Sequence, residues 1–399
     1  MMEDLNKTRE QNIALIKWSD NNYRGTYLAI TGSGKTKVGV IAAGRHIRKN
    51  NKQKWLIVTP TENLRDREWV NEFKKWGYEE ELSNVTLECI QTAHKKRNEH
   101  WDGIVIDEID TTITPQFKKL YQYNKFDKIL GLTATVEDID KIKFLDEFAP
   151  VIHKTTIDRA LELDLVSDFN IYNITVEFTE EEKKLYSDVN LKFIRAFSFF
   201  GTSFPMLSMA FSDTKRVASN LNTDVLSVLS TARKCFQLIK FRKDICFLAK
   251  SKIDMAKSIL EKYKEEKAII FNEQIDIASK VSDELGDKAV LFHSKLKKKE
   301  KIEALDKFGD PDSDIQYISC VRALDRGMNV PDCSLGIVMS GSSKTRQDTQ
   351  RRGRTIRFQK DKVAKIFNLY VPGTIEEKWV RKRIAKSVNI KWLTSIDEI

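Results

Sequence analysis

The sequence of 399 residues is poor in the residues that mark disulfide-rich, metal-binding and unstructured chains. Its five cysteines form no CxxC pair and have no histidine at ligand spacing, which argues for a reducing compartment and against zinc. Only 16 glycines and 7 prolines are present and 41% of the residues are hydrophobic, so we exclude a large disordered share. No tandem repeat or low-complexity tract stands out. The composition predicts a globular chain, and its length suggests about two domains.

Long hydrophobic runs are also lacking. The first residues, MMEDLNKTREQN, have no apolar core of the signal-peptide kind. The one long apolar stretch, at 193–211, contains Arg195, Gly201 and Pro205, which argues against a membrane span. We interpret its phenylalanines as core rather than as a surface that stacks on bases, because large apolar residues are usually buried. We expect no membrane contact and a location in the cytoplasm of a bacterium or of a phage-infected cell.

The charge that is present is mostly basic and lies near the C-terminal end. The net charge is +10, yet residues 1–155 hold 25 basic and 23 acidic groups, whereas 344–386 hold 14 basic and 4 acidic ones. Such an excess fits a polyanion partner, although a solvated basic surface would give the same count. Charge alone does not distinguish a polyanion partner from a solvated surface, but the sequence motifs do.

Short apolar runs rich in β-branched residues alternate with longer charged, helix-like segments in two separate blocks. This pattern is typical of α/β proteins, and strands that are apolar on both faces suit parallel sheets covered by helices. We therefore predict an α/β fold with two mainly parallel sheets. The predicted strands lie at 26–30, 55–58, 87–90, 103–106 and 128–132 in the first block, and at 268–271, 289–292, 315–319, 335–339 and 365–370 in the second.

Between the blocks the sequence predicts a helical insertion. The stretch IYNITVEF (171–178) alternates like a strand and runs into TEEEKKLY, in which Thr179 and Glu182 have the spacing of a capping box. Apolar residues then recur three or four positions apart towards Tyr263. We place the insertion at about 180–263.

A phosphate-binding loop is predicted at AITGSGKT (29–36), between a strand and a helix-like segment. Gly32 and Gly34 lack a Cβ, so the backbone can curl and direct its N–H groups at phosphate oxygens at a helix N-terminus. Lys35 supplies a point charge for the β- and γ-phosphates and Thr36 a hydroxyl for Mg²⁺. The loop has Ala29 where the general pattern begins with glycine.

The stretch GIVIDEID (103–110) is the natural partner of that loop. It reads as a buried parallel strand whose carboxyl end delivers Asp107 and Glu108 to the edge of the sheet where ligands bind. Asp107 would hold Mg²⁺ and Glu108 would act as general base on the attacking water. Two carboxylates that merely cap the next helix are the alternative, which becomes the minor one beside a phosphate-binding loop.

These residues resemble the superfamily 2 helicases of DEAD/DEAH-box type, whose members carry an ATP site between two RecA-like lobes. The resemblance covers nearly the whole chain, and its motifs follow in the family's order. The insertion, VEFTEEEKKLY and IFNLYVPGTIEEKWVRKR are most similar to XPB-like and phage UvsW-like DNA helicases. The matching stretches are REQNIALIKW (9–18), AITGSGKT (29–36), VTPTENLRDREW (58–69), DEID (107–110), GLTAT (131–135), VRALDRGMNVPD (321–332) and QRRGRTIR (350–357).

For the nucleotide site the resemblance implies ATP and Mg²⁺ as cofactors. Gln11 takes the place that reads adenine, although Thr8 stands where an arginine is usual. Asp110, Thr133 and Thr135 would couple hydrolysis to lobe movement, and Thr36 with Asp107 would hold the metal. The remaining nucleotide-binding residues would be Thr31, Gly32, Ser33, Gly34, Lys35 and Gly327. Near Gly327 the chain has Asn329 where an aspartate is often found, so a charged contact becomes an amide one.

The resemblance also assigns the second lobe's arginines. Gln350, Arg354 and Arg357 would join Glu108 as catalytic residues that reach the ATP phosphates. Arg351 would link the lobes, and Arg352 fits a solvated surface. Contacts to the nucleic acid would come from Thr61, Arg65, Arg67 and Arg322.

The predicted function is an ATP-dependent helicase or translocase that hydrolyses ATP and acts on nucleic acid, DNA rather than RNA. Residues 1–160 would form the first lobe, and 161–399 the second lobe with its insertion. A monomer is expected, with replication, recombination or repair proteins as partners. Two alternatives stay open: a duplex DNA translocase or remodeller that separates no strands, and a nucleotide-gated clamp on nucleic acid. A small-molecule kinase would leave the second α/β block unexplained.

Overall fold

Two parallel β-sheets form the frame of the protein in a computed structural model. The structure describes residues 2–30, 32–62, 64–136, 138–321, 333–341, 363–384 and 389–399. The strands are β1 Arg24–Ala29, β2 Trp55–Thr59, β3 Val85–Cys89, β4 His100–Asp107, β5 Lys125–Thr133, β6 Val151–Thr155, β7 Phe169–Thr175, β8 Ala268–Asn272, β9 Ala289–Phe292, β10 Tyr317–Val321, β11 Leu335–Val338, β12 Ala364–Tyr370 and β13 Ile390–Leu393.

Helices connect most of these strands. They are α1 Met2–Asp20, α2 Lys35–Lys49, α3 Trp69–Lys75, α4 Ile90–Ala93, α5 Ile109–Thr112, α6 Lys119–Tyr123, α7 Ile139–Phe148, α8 Ile157–Glu162, α9 Glu180–Ser198, α10 Phe204–Ser212, α11 Thr214–Asn220, α12 Val225–Phe247, α13 Lys250–Lys262, α14 Ile275–Leu285, α15 Lys298–Gly309 and α16 Ile375–Ile384. A π-helix spans Leu64–Glu68, and short 3₁₀ turns span Glu80–Asn84, Gly286–Lys288 and Ile396–Glu398.

The first sheet has six strands in the order β3-β2-β4-β5-β1-β6, and every described pair in it is parallel. Its central strands are buried on both faces, so helices must cover both, as the apolar runs predict. Because β4, β5 and β1 are neighbours, the loops that follow them open at one edge of the sheet. This edge is where ligands of open α/β sheets bind.

The second sheet has seven strands in the order β13-β7-β12-β11-β8-β10-β9, again with parallel pairing throughout the described residues. One of its faces packs on α13, α14 and the ends of α9 and α12, and the other face packs on α15. The prediction of two mainly parallel sheets is confirmed. All ten strands predicted for the two blocks are present, together with β7, which the alternating stretch before the insertion predicts.

Two strands were not predicted, and both lie at the edge of a sheet. Among the described residues β6 pairs with β1 alone and β13 with β7 alone, so each lies at the end of its sheet. Most of their residues are partly exposed or exposed, which removes the continuous apolar run that marks the central strands. Short edge strands of this kind carry little sequence signal.

The segment between β7 and β8, both strands of the second sheet, is helical, and its first helix begins as predicted. Thr179 is the N-cap of α9 and its hydroxyl accepts a hydrogen bond from the Glu182 N–H at 3.2 Å, while Glu182 accepts one from the Thr179 N–H at 2.9 Å. The helices continue to Lys262, but the last of them, α13, packs on the second sheet. Helices α10 and α11, with the adjoining parts of α9 and α12, are therefore the part that stands apart from the sheet.

Helices α9 and α12 join two hydrophobic cores. Tyr186 in α9 and Ile245 in α12 belong to the core of the second sheet. At the other ends of the same two helices, Phe193 and Cys235 belong to a separate core. This core also contains Phe200, which has no exposed surface. The core interpretation of this aromatic stretch holds for its buried members. Phe204 and Phe211 differ, because they are 57% and 49% exposed.

A fully buried ion pair ties the last helix to the second sheet. The Lys252 ammonium in α13 lies 2.7 and 2.9 Å from the two carboxylate oxygens of Glu376 in α16, and it also donates to the Met339 carbonyl at 2.8 Å. Lys252 has no exposed surface and Glu376 is 3% exposed. A charge so deeply buried requires this degree of compensation.

The five cysteines are free thiols and all are buried. Among the described residues no helix is both long enough and apolar enough to cross a membrane.

Candidate nucleotide site

The loop after β1 has the backbone curvature that the glycines predict. Gly32 and Gly34 adopt φ values of 92° and 79°, in the left-handed region that L-residues avoid. Gly34 is the N-cap of α2, so the first N–H groups of that helix face the loop. The Ser33 hydroxyl donates to the Ile30 carbonyl at 2.8 Å and closes the turn. The geometry is that of an anion-binding nest at a helix N-terminus.

Gln11 contacts this loop directly. Its side chain is 2% exposed, and its amide nitrogen donates to the Ser33 carbonyl at 3.0 Å. A Cβ on Gly34 would press on this amide group, and the φ of 79° at Gly34 favours glycine. The carbonyl oxygen of Gln11 is buried and has no hydrogen-bond partner among the described residues. An unmet buried acceptor of this kind calls for a donor such as an exocyclic amine.

Lys35 is the first residue of α2, and its ammonium lies over the loop. It donates to the Ala29 carbonyl at 2.8 Å and to the Ile30 carbonyl at 3.3 Å, both at the end of β1. Thr36 follows and is half-buried. The loop thus gathers backbone N–H groups, the Lys35 ammonium and the Thr36 hydroxyl, which matches the chemistry of a bound polyphosphate.

Asp107 is the last residue of β4 and Glu108 follows it in an unusual backbone conformation. Glu108 has φ 52° and ψ 51°, left-handed values that cost a non-glycine residue about 1–3 kcal/mol. The conformation is fixed locally, because the Glu108 carbonyl accepts hydrogen bonds from both the N–H and the hydroxyl of Thr111 at 2.8 Å. In this left-handed conformation the half-buried Glu108 side chain points in a direction that a regular helix start would not give it.

The Asp107 carboxylate is 8% exposed and sits in a poorly solvated place. Burial, and after it the charge of Glu108, raises the pKa of Asp107 to about 7, while Lys35 opposes that rise. The Trp69 indole donates to one Asp107 oxygen at 3.4 Å. A bound divalent cation would favour the ionised form of a carboxylate in such a place.

Asp110, Thr133 and Thr135, the residues that the resemblance assigns to coupling, lie close together. The Thr133 hydroxyl at the end of β5 donates to the Asp110 carboxylate at 2.8 Å, and both residues are buried. Lys141 of α7 donates to the Asp110 carbonyl at 2.7 Å. The Thr135 hydroxyl is buried without a partner among the described residues. Asp110 therefore connects α5 to the strand that neighbours both β4 and β1.

The segment after β2 is a π-helix, which the sequence did not predict. Thr61 accepts a hydrogen bond from Thr59 through its carbonyl at 3.0 Å, and the turn at Leu64–Glu68 follows. Within it Arg65 pairs with Asp66 at 2.7 Å, and Arg67 is exposed. Single π turns are rare and frequently lie at functional sites. Trp69, which follows the π-helix as the first residue of α3, was not singled out by the sequence either.

A buried polar cluster beside Gln11 also escaped the sequence analysis. Glu10 is 2% exposed, and its carboxylate accepts hydrogen bonds from His153 at 3.0 Å, Thr155 at 3.2 Å and Arg159 at 3.3 Å. These partners lie in or next to β6, the strand that the sequence did not reveal. The cluster fastens α1, and with it Gln11, to the edge of the first sheet.

Several predicted site residues lie outside the described residues. They are Thr31 in the phosphate-binding loop, Arg322 and Gly327, and the group Gln350, Arg351, Arg352, Arg354 and Arg357. The structure brings several predicted residues of the first lobe together at one edge of the first sheet: the loop, Gln11, Asp107, Glu108, Asp110 and Thr133.

Comparison with known proteins agrees with this geometry. Residues 4–138 match the family model of the type III restriction enzyme res subunit, and residues 251–359 match that of the helicase conserved C-terminal domain. The second match runs through both stretches that carry the predicted arginines.

Relatives and solved structures cover nearly the whole chain. This chain is 27% identical over 397 residues to the DNA 3'-5' translocase XPB2 of Sulfurisphaera tokodaii. The match covers 96% of this chain and 86% of that protein. The Hef helicase domain of Pyrococcus furiosus has a similar fold, with a TM-score of 0.54, 16% identity and 92% and 97% of the two chains covered.

The fold is also that of S. cerevisiae Dbp5 bound to RNA and ADP BeF3, with a TM-score of 0.63, 13% identity and coverage of 97% of this chain and 89% of that one. At such low identities these structures speak for the fold, which is that of two RecA-like lobes. Together, the two family models and the archaeal relative support a superfamily 2 helicase of the XPB-like type.

Proposed function

We propose that this chain is an ATP-driven DNA helicase or translocase that hydrolyses ATP between its two lobes to move along a strand. The observation that carries the proposal is that Lys35, Asp107 and the strained Glu108 lie at the same edge of the first sheet, where β1 and β4 end. A protein that only clamped nucleic acid would have no need for a positioned base. DNA is favoured as the polymer by the archaeal relative, which is named as a DNA translocase.

The residues of the first lobe fit Mg²⁺. The Thr36 hydroxyl and the Asp107 carboxylate offer hard oxygen ligands, and Mg²⁺ in nucleotide sites usually takes one or two such groups together with phosphates and waters. The low solvation of Asp107, which raises its pKa, is the state that a bound cation would relieve. When bound, the metal would neutralise charge on the β- and γ-phosphates.

The chain's own groups would do the remaining work. Backbone N–H groups between Gly32 and Thr36 would hold the phosphates, and the Lys35 ammonium would move from the Ala29 and Ile30 carbonyls to phosphate oxygens. Glu108 would orient the attacking water and accept its proton. The unmet carbonyl oxygen of Gln11 would accept a hydrogen bond from the adenine amine.

Catalysis by the second lobe is part of the proposal. Arg354 and Arg357, with Gln350, would approach the γ-phosphate only when the lobes close on each other, so hydrolysis would depend on closure. Gly327 would lie near the nucleotide on the same side. The Thr133 hydroxyl bonded to Asp110 would transmit the change in the phosphates to the end of β5.

DNA would lie across both lobes. We propose phosphate contacts at Thr61, Arg65 and Arg67 around the π-helix, and at Arg322 in the second lobe. The boundary between the lobes near residue 160, a monomeric state, a cytoplasmic location and partners from replication, recombination or repair belong to the same proposal.

The experiment that tests the proposal is ATP hydrolysis measured with single-stranded DNA, duplex DNA, branched DNA and RNA at one salt concentration, because affinity for polyanions depends on salt. We expect one form of DNA to stimulate hydrolysis more than RNA does. The variant Glu108→Gln should lose about 10²- to 10⁴-fold in turnover and still bind ATP. Equal hydrolysis with and without every polymer would contradict the coupling, and full turnover by Glu108→Gln would contradict its role as base.

A duplex translocase that separates no strands is the second candidate, favoured by the word translocase in the name of the archaeal relative. A tailed duplex and a triplex assayed side by side distinguish the two. Displacement of the triplex strand without unwinding of the tailed duplex would select the translocase.

A further inference from the structure

The Trp69 side chain lies where α2, α3 and β4 of the first lobe meet. It has no exposed surface, and it is the first residue of α3, directly after the π-helix at Leu64–Glu68. Its indole N–H donates to the Asp107 carboxylate at 3.4 Å across 38 positions of sequence. One side chain thus connects the segment proposed to meet DNA with the carboxylate proposed to hold Mg²⁺.

The position of the indole is fixed by a close approach to α2. A Cβ on Gly39 would come within 2.6 Å of the Trp69 ring and 3.0 Å of Val105 in β4. Glycine at this point lets the ring lie against the helix that begins at Lys35 and Thr36. The ring is therefore wedged between the two elements, α2 and β4, that supply both proposed metal ligands.

The chemistry of the indole suits the task of orienting a metal ligand. Its N–H is a donor only and carries no charge, so it fixes one oxygen of Asp107 without competing with a cation for the carboxylate charge. Groups that ligate metals are commonly held by such outer hydrogen bonds, and losing one typically weakens metal affinity or activity by about 10- to 100-fold.

We propose that Trp69 is a positioning residue that orients the Asp107 carboxylate for Mg²⁺ and ties it to the segment around Arg65 and Arg67. This inference rests on the proposed function, because it takes Asp107 as a metal ligand. It adds a residue through which movement of the π-helix on DNA reaches the metal site.

The test compares Trp69→Phe with Trp55→Phe. Trp55 is an equally buried tryptophan of the same core, it packs over Gly103 as Trp69 packs over Gly39, and its N–H donates to Gln53, away from the site. The measurement is binding of a fluorescent ADP analogue in EDTA and over a range of Mg²⁺ concentrations, together with the Mg²⁺ dependence of ATP hydrolysis.

We expect Trp69→Phe to bind the analogue in EDTA as the unmodified protein does, but to need about tenfold more Mg²⁺ for half-maximal strengthening of that binding. Trp55→Phe should keep the original Mg²⁺ dependence. An unchanged Mg²⁺ dependence in Trp69→Phe, or an equal shift in Trp55→Phe, would overturn the inference.

A second variant keeps the test decisive if Trp69→Phe does not fold. Replacing the Trp69 indole by its benzothiophene isostere removes the N–H and retains the ring shape, and the same shift in Mg²⁺ dependence is expected. If the unmodified protein gains no affinity from Mg²⁺, the proposed metal site fails and the inference fails with it. If Mg²⁺ strengthens binding and the isostere behaves like tryptophan, the inference alone fails.

Discussion

The buried ammonium of Lys252 is stable only because several neighbouring groups compensate its charge. The ammonium is compensated by Glu376 and by the Met339 carbonyl, so three separate elements of the second lobe meet at one atom. Removing one member of such a pair leaves the other charge buried, whereas removing both avoids the desolvation cost. The pair is thus a condition of this packing rather than a measure of its stability.

We predict that Lys252→Met lowers the free energy of unfolding by about 3–5 kcal/mol, because the Glu376 carboxylate then lacks its partner. The double variant with Glu376→Leu should recover most of the loss. Urea unfolding measures both values. Lys257→Met, which breaks the exposed pair with Glu284, serves as the control and should change little. A double variant no more stable than Lys252→Met would contradict this account.

Among single residues, the sequence predicts those whose role depends on neighbours in the chain. Gly32, Gly34 and Lys35 belong to one contiguous motif, in which both glycines have positive φ values and the Lys35 ammonium reaches back to the Ala29 carbonyl. Trp69 and Glu10 could not be predicted, because their partners lie far along the chain and only the folded sheet brings them together.

At the scale of elements, α1 depends on a carboxylate that is ionised in the folded state. Burial alone would raise the pKa of Glu10, but hydrogen bonds and charge from His153, and hydrogen bonds from Thr155 and Arg159, outweigh it and lower the pKa below 4.5. The folded chain therefore binds this proton more weakly than the unfolded chain does. The resulting stabilisation is present above about pH 4.5 and is lost as the pH falls through the lowered pKa.

We predict that Glu10→Gln is less stable than the unmodified protein at pH 7 and that this difference shrinks below about pH 4.5, where the natural carboxyl becomes protonated too. Denaturant unfolding at a series of pH values measures the difference. Glu147→Gln, at an exposed position of α7, should follow the curve of the unmodified protein. A Glu10→Gln difference that stays constant down to pH 3 would contradict the role of the ionised group.

The helices α9 to α12 have a core of their own, so damage to it should stay local. We predict that Phe200→Ala loosens these helices by about 3–5 kcal/mol, because the ring has no exposed surface. Hydrogen exchange should rise across 193–235 and stay low in the first sheet. Phe211→Ala removes a ring that is 49% exposed and should leave exchange nearly unchanged. If hydrogen exchange also became faster in β4 of the Phe200→Ala variant, the core of α9 to α12 would not be separate from that of the first sheet.

Strands that read as apolar runs could be predicted from the sequence, even the partly exposed edge strands β3 and β9, whereas β6 and β13 could not. Strands such as β2 and β8 are buried at every position and read as unbroken apolar runs. β6 and β13 are edge strands with exposed positions, and the π-helix at Leu64–Glu68 has no pattern of its own. The capping box that opens α9 could be read because its two residues signal each other locally.

At the scale of the whole molecule, the proposal requires the two lobes to work on one ATP. We predict that Arg357→Ala lowers hydrolysis by about 10³- to 10⁵-fold, the range for arginines that stabilise phosphoryl transfer, and leaves DNA binding nearly intact. DNA-stimulated hydrolysis and fluorescence anisotropy of labelled DNA measure the two properties. Arg352→Ala is the neighbouring control and should keep hydrolysis. Loss of DNA binding with hydrolysis retained would instead identify a nucleic-acid patch at 350–357.

The order of strands in the second sheet has a consequence for synthesis on the ribosome. β7 enters this sheet first, yet its two neighbours are β12 and β13, the last strands to be made. The first sheet can close once Thr155 has emerged, whereas β7 must wait with both edges open until almost the whole chain exists. The newborn protein should therefore carry a finished first lobe and an unfinished second one, and chaperones would meet it in that half-folded form.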